Sequence, residues 1–493
     1  MKKFYLLIAI CFLTTTTKAQ WMQKGIDIDG EDMLDRSGYS VSMSDDGMTV
    51  AIGATYNYDG ASGAGQVRIY QWNGSAWSQK GGDIDGTIPG QHCGYSVSMS
   101  ADGNTVAVGI PANGGIVVSL EGMVRIFQWT GSSWSAKGAA IIGEAFYDES
   151  GFSVSMSADG NTVAIGAPYN DGTASSAGHV RIHEWNGSAW AQKGVDLDGV
   201  ILDDLSGYSV SMSADGNTVA FGSPNINGIG HVRIYEWIGA AWTQKGANID
   251  GIVYDKTGWS VSMNDNGNTI AIGAVGRSGT PSDSGNVRIY QWIGATWSQK
   301  GNDIVGEAGN ELSGWSVSMS SDGNTVAIGT PLNSGTGFWA GHVRVYEWKG
   351  IGWIQKGIDI DGKATYDQSG YSISLSSDGN TVAIGAPQSY TSTPNPGYVS
   401  VYSFTPVDIT EYNFGDRFQL YPNPTDGNFS IDFFWGKINL TATLTNALGK
   451  VISIKKYNSA DFINMNIDAP TGIYFLKIET TNRETKTIKV LKK

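Results

Sequence analysis

The chain has 493 residues, 41% of them hydrophobic, with 67 glycines against 13 prolines. That length makes more than one domain the expectation. Abundant glycine without a three-residue period excludes collagen and suits an all-β protein rich in tight turns. The net charge of −14 is uneven, with −19 on residues 20–404, +3 on 1–19 and +2 on 405–493. So acidic a surface repels phosphate and anionic lipid, and neither nucleic acid nor membrane insertion is expected.

Residues 1–19 read as a signal peptide: Lys2 and Lys3, an apolar run from Phe4 to Leu13, and Thr17-Lys18-Ala19 before Gln20. The run is too short to span a bilayer as a helix. Beyond it Cys93 is the only cysteine, so no internal disulfide is expected.

The segment Gly-aromatic-Ser-(Val/Ile)-Ser then recurs, its glycine at positions 38, 94, 151, 207, 258, 314 and 370. Such a period marks a repeat architecture, and the spacing predicts seven four-stranded blades of a β-propeller over 20–404. The first strand alternates, as in Tyr208 to Ser213. An Asp-Gly hairpin turn leads to an apolar second strand, Thr162 to Pro168 in the third repeat. The third strand there is His179 to Trp185, and the fourth is Trp190 to Leu197. Tryptophan pairs such as Trp72/Trp77 and Trp185/Trp190 flank the last turn, and their repetition points to packing rather than sugar platforms. The seventh repeat stops after its third strand, Tyr398 to Phe404. Its missing fourth strand is expected from Trp21 to Ile28, which would close the ring and remove an edge.

The run G-Y-S-V-S-M-S-x-D-G-N-T-V-A-I-G-A-P resembles an FG-GAP repeat, the unit of integrin α-type propellers, in its bacterial, calcium-poor form. Calcium-binding members carry a longer acidic loop after the first strand. Here it is only Ser44-Asp45-Asp46-Gly47 or its equivalents, too few oxygens for Ca²⁺.

Residues 405–416 read as a linker. Residues 417–493 resemble the type A sorting domain of the Bacteroidota type IX secretion system, through Tyr421-Pro422-Asn423-Pro424 with Gly427, Gly449 in NALGK, and Gly472 and Tyr474 in GIYFLK. Alternation in the tail suggests a small β-sandwich. The resemblance implies type IX machinery as a partner, export to the cell surface or medium, and removal of the tail.

Nothing in the sequence matches a catalytic motif. His179, His231 and His342 share one repeat position that elsewhere holds Gln66, Met123, Asn286 and Tyr398, which argues against a metal ligand. Three residues before each repeat glycine stand Asp35, Gln91, Asp148, Asp204, Asp255, Glu311 and Asp367. This acidic ring reads first as Asp–Arg pairs or Asx turns and second as a ligand site. Four Asp-x-Asp-Gly turns (Asp27/Asp29, Asp83/Asp85, Asp196/Asp198, Asp359/Asp361) are the one candidate for Ca²⁺, and no other cofactor is expected.

The expectation is a secreted or surface binding and adhesion protein, not an enzyme, with a glycan or protein ligand. The alternatives are a polysaccharide hydrolase or lyase and a structural surface component. The ligand is expected on the face of the fourth-to-first and second-to-third connections, where length varies and aromatics gather. Trp339 leads the candidates there, with Phe338, Tyr56, Tyr58, Phe146, Tyr147, Tyr254, Tyr390 and the acidic ring.

Overall fold

A computed structural model describes residues 20–58, 61–111, 121–224, 229–276, 283–387, 395–405, 418–433, 438–481 and 485–493. The leader 1–19, nearly all of the expected linker and Tyr390 lie outside these. The chain divides into two compact units, 1–406 and 407–493. Every regular element described is a strand, and no helix among the described residues is long and apolar enough to cross a membrane.

The first unit holds seven antiparallel sheets of one plan, the fold of a propeller-like protein. In the third repeat the strands are Ser153–Met156, Thr162–Ala167, His179–Trp185, Trp190–Gln192 and Leu197–Asp198. Ser153 faces Gly166 and Ala167 faces His179. The second strand is buried along its whole length in all seven sheets, as an apolar run without alternation requires.

The expected fourth strand is two pieces. Trp190–Gln192 and Leu197–Asp198 both pair with the third strand, and the Lys-Gly step between them leaves the strand path. Neighbouring packing accounts for the break. Gly81 lies at φ +85°, and a Cβ there would meet the Trp129 ring of the next sheet at 2.7 Å. Trp134 Nε1 donates to Lys80 O at 2.6 Å, while Lys80 Nζ donates to Gly103 O and Asn104 Oδ1, each at 2.8 Å. Thus the QKG step of one sheet, the tryptophan pair of the next and its Asp-Gly turn form one joint. The pairs themselves pack as expected, with Trp72 and Trp77 centroids 5.4 Å apart.

A second joint runs along the first strands. Ser40 Oγ donates to Gly94 O at 2.7 Å, and the pattern repeats through Ser96, Ser153, Ser209, Ser260 and Ser316 to Ser372, which donates to Gly38 O at 2.8 Å. Gly53 permits this approach: a Cβ there would lie 2.0 Å from Gly94 O. At the N-terminus, Gln20–Gln23 pairs with Tyr398–Thr405, Trp21 facing Phe404.

In the second unit, Phe418–Tyr421, Asn428–Phe433 and Phe462–Asn466 form one sheet. Ile438–Asn446, Val451–Ala460, Gly472–Thr480 and Thr485–Lys492 form the other. Phe429, Ile431 and Ile463 from the first share a core with Leu444, Leu476 and Val490 from the second.

Candidate functional site

The residue after each repeat glycine is aromatic, and the seven rings form a closed circuit. Tyr39 meets Tyr95 at 5.0 Å between centroids, and contacts of 4.8–5.3 Å continue through Phe152, Tyr208, Trp259, Trp315 and Tyr371 back to Tyr39. These rings, with the Ser and Val or Ile that follow each, line a cavity of about 280 Å³. That volume lies just below the usual range of small-molecule pockets. Burial pushes the Tyr39, Tyr95 and Tyr208 phenols up, so they stay neutral. Trp259 and Trp315 give one side of the collar two indoles, while Tyr371, Tyr39 and Tyr95 give the other three hydroxyls.

Above the collar, every fourth-to-first connection has the same strained backbone. The residue two before the repeat glycine has φ between +54° and +57° in all seven repeats: Arg36, His92, Glu149, Leu205, Lys256, Leu312 and Gln368. Holding a non-glycine residue there costs on the order of 1 kcal/mol. One backbone shape thus carries residues of differing charge and polarity: Arg36, His92, Glu149, Lys256 and Leu312 are half-buried, while Leu205 and Gln368 are buried. Arg36 lies 4.2 Å over the Tyr56 ring, Tyr56 packs on His92 at 4.8 Å, and Lys256 Nζ is 5.7 Å from the Trp259 ring. Burial pushes the Glu149 carboxyl up to about 7. Sequence reading passed over this position because its residues share no type; their variety beside an otherwise repeated motif was the available signal.

The acidic ring lies beneath. Asp35, Asp148, Asp204, Asp255, Glu311 and Asp367, with Gln91, are all buried. Asp35 accepts from the amides of Glu31 and Asp32, Asp148 from Ala145, and Asp367 from Lys363 and Ala364. These three carboxylates shape their own turns, and all six ring acids are buried. The repeated Asp–Arg pair is corrected too. Arg68, Arg181, Arg233 and Arg344 donate to carbonyls of the preceding sheet, at Asp29, Ile142, Asp198 and Val305. Only Arg288 makes a close ion pair with its ring acid, Asp255, among those described.

The loop aromatics divide. Tyr147 and Tyr254 are 69% and 63% exposed, on positive-φ positions of the rim, and Phe146 is exposed beside Tyr147. Leu34, Leu202 and Val253 extend this exposed apolar rim. Trp339 stacks on Phe338 at 4.8 Å and meets Tyr366 edge-on at 5.9 Å. It packs over its own loop junction and leaves Phe338 as the exposed ring of the three.

Of the calcium candidates, Asp27 pairs with Lys363 and accepts from Ser400 at 2.6 Å, and Asp83 accepts from Gln79 at 2.5 Å. Asp29 is exposed and Asp85 half-buried. Asp196 and Asp198 lie near His179; Asp359 lies near His342, whose strand neighbour is Asp361. The Asp-Gly turns are closed internally: Asp102 Oδ1 accepts from Ser100 Oγ at 2.6 Å and Asn104 N at 2.9 Å.

In the second unit Asn423 Nδ2 donates to Lys489 O and Asn423 Oδ1 accepts from Leu491 N, both at 2.9 Å. Tyr421 is 42% exposed beside Pro422, with Pro424 completing the run. Gly427 and Gly449 take positive φ in turns, Gly472 opens a strand, and Tyr474 OH donates to Pro470 O at 2.5 Å.

The geometry defines a protein with a propeller-like unit and a separate C-terminal module. Residues 419–493 match the model of the secretion system C-terminal sorting domain. The protein is therefore carried out of the cell, to its surface or the medium, through the type IX machinery that reads this module. No curated protein matches the chain.

Among solved structures, the chain is similar to Chaetomium thermophilum Raptor at 12% identity and TM-score 0.52, over 79% of this chain and 29% of that one. It is similar to the Dos1 propeller at 12% identity and TM-score 0.45, over 78% and 94%. It is also similar to a putative 6-phosphogluconolactonase from Bacteroides uniformis at 10% identity and TM-score 0.47, over 66% and 85%. That last likeness corrects one expectation: a protein described as an enzyme shares this kind of fold, so the chain is no longer excluded from catalysis. At such identity the likeness shows fold alone and gives this chain no substrate.

Proposed function

We propose that the exported protein binds a glycan or protein ligand at the mouth of the aromatic collar, as a surface binding or adhesion protein. The observation that carries this is the closed circuit of seven rings around a cavity of about 280 Å³, with Arg36, His92, Glu149 and Lys256 on strained loop positions beside it. Loop side chains held in one strained backbone shape beside a cavity fit a binding role. The exposed Tyr147 and Tyr254 supply anchors at the outer edge.

The same reading takes the seven sheets as FG-GAP-like blades of one ring, with the N-terminal strand as the outer strand of the seventh and residues 405–416 as linker to the sorting module. In support, Trp21 Nε1 donates to Lys356 O at 2.7 Å and Trp77 Nε1 to Lys24 O at 2.7 Å, the joint found inside the chain.

The test is a glycan array and a cell-surface binding assay on the mature protein. Trp259→Ala and Glu149→Gln should weaken binding by about tenfold or more, while Asp102→Asn in an Asp-Gly turn leaves it unchanged. Loss on the turn substitution with the collar variants intact would move the site to the other face. A second reading, acid chemistry on a bound glycan, rests on the Glu149 carboxyl titrating near 7. Turnover abolished by Glu149→Gln with binding retained would establish it.

A further inference from the structure

The histidine position that the repeats fill so variously is two different things in different repeats. In the third repeat, His179 is 1% exposed and its Nδ1 faces three carboxylates: Glu144 Oε2 and Asp196 Oδ2 at 3.9 Å and Asp198 Oδ1 at 4.0 Å. In the sixth, His342 is equally buried and its Nδ1 is 3.8 Å from Asp359 Oδ2. Glu144, His179 and Asp196 bring their donor atoms within 4.8 Å of one another, as do Glu307, His342 and Asp359. None of these separations is a hydrogen bond. The Nε2 atoms of both histidines are buried without a partner.

The equivalent nodes of other repeats are closed by a proton donor. In the first, Gln66 Nε2 donates to Glu31 Oε2 at 2.9 Å. In the seventh, Lys363 takes the glutamate position and its ammonium reaches Asp27 Oδ1 at 2.5 Å. In the fourth, Val200 and Asn248 replace the two acids, and His231 instead faces Asp204 at 3.7 Å. Among the described residues, only the third and sixth repeats bring histidine, glutamate and aspartate together at this node.

We propose that these two nodes are binding sites for a first-row divalent metal ion of the zinc class. Each would use one imidazole nitrogen, one glutamate oxygen and one aspartate oxygen. A nitrogen donor among carboxylates favours such an ion over calcium, which takes oxygen and needs more of it. Three protein ligands with an exposed glutamate leave a coordination position open to solvent.

The outer contacts already orient the donors. Gln192 Nε2 holds Asp196 Oδ1 at 2.5 Å and Gln355 Nε2 holds Asp359 Oδ1 at 2.6 Å, each turning Oδ2 toward the histidine. Arg181 and Arg344 lie 3.5 and 3.1 Å from the other oxygens of Glu144 and Glu307. Partners of this kind fix ligand orientation at metal centres.

The experiment is zinc titration of the mature, chelator-treated protein, read by calorimetry and elemental analysis, with the visible spectrum of the Co²⁺ form as a second readout. We expect two ions per chain, one in His179→Gln, none in His179→Gln/His342→Gln, and two in His231→Gln. Glutamine is chosen because Gln66 occupies this place in the first repeat. If the double variant does not fold, Asp196→Asn/Asp359→Asn should weaken zinc binding by about a hundredfold. Less than one ion per wild-type chain, unchanged stoichiometry in the double variant, or displacement of zinc by excess Ca²⁺ would overturn the assignment.

Discussion

Deleting residues 20–28 from the mature chain tests how the first unit holds together. The segment carries Trp21 and Ile28, 7% and 5% exposed, and pairs with Tyr398–Thr405 at five positions. Re-exposing two large apolar side chains costs about 2–3 kcal/mol each. The lost strand bonds add roughly 1 kcal/mol each, partly recovered by water. The total, on the order of 5–10 kcal/mol, rivals the stability of a whole domain. For a unit of this size that corresponds to a fall in melting temperature of roughly 10 °C. The bared third strand would also offer an edge for pairing, so the variant should self-associate. Differential scanning calorimetry and light scattering read both effects. Trp21→Ala and Trp242→Ala should each cost about 3–5 kcal/mol, since both tryptophans are buried and donate to a QKG lysine carbonyl, at Lys356 and Lys193. An unchanged melting temperature and monomeric state after deletion, or a Trp21→Ala far milder than Trp242→Ala, would show the N-terminal strand to be an ornament.

Acid stability should depend on the Asp-Gly turns. Burial pushes Asp102, Asp159, Asp215, Asp322 and Asp378 up, but hydrogen bonds from the turn serine and asparagine outweigh it and hold them below the usual carboxylate range. A depressed folded value contributes stability above the unfolded pKa, near 4, that is lost as pH falls through the folded value. Replacing the five by Asn should therefore flatten the melting curve between pH 4 and 2, and an unaltered slope would refute this. Burial also pushes the Cys93 thiol up to about 12, so Ellman's reagent should label it only on unfolding; rapid labelling of native protein would show an opening at that turn. Ending the chain after residue 404 should leave the first unit's melting temperature unchanged and strand it in the periplasm of a type IX-competent host. Normal extracellular levels would contradict the role of the tail.

What could be read from sequence alone follows from which positions touch a neighbouring sheet. Gly81 recurs as glycine because a tryptophan pair from the next sheet lies on it, and Ser40 recurs as serine because it must reach Gly94 O. A side chain fixed by a neighbour's copy of the same motif has to be the same residue in every repeat, and so the motif is visible. Three features escaped for the opposite reason. Alternation placed Tyr208 on one side of its strand but could not show that seven such rings meet in a circuit. The arginines looked like partners of the acidic ring because both recur, yet Arg181 reaches the carbonyl of Ile142, an atom without a sequence signature. The histidine position looked indifferent when taken alone. Its meaning depends on Glu144 and Asp196, which approach from two loops and join a histidine only in the third repeat and, as Glu307 and Asp359, in the sixth, among the described residues. Repetition therefore marks the scaffold, because only a contact made by every copy forces the same residue into every copy.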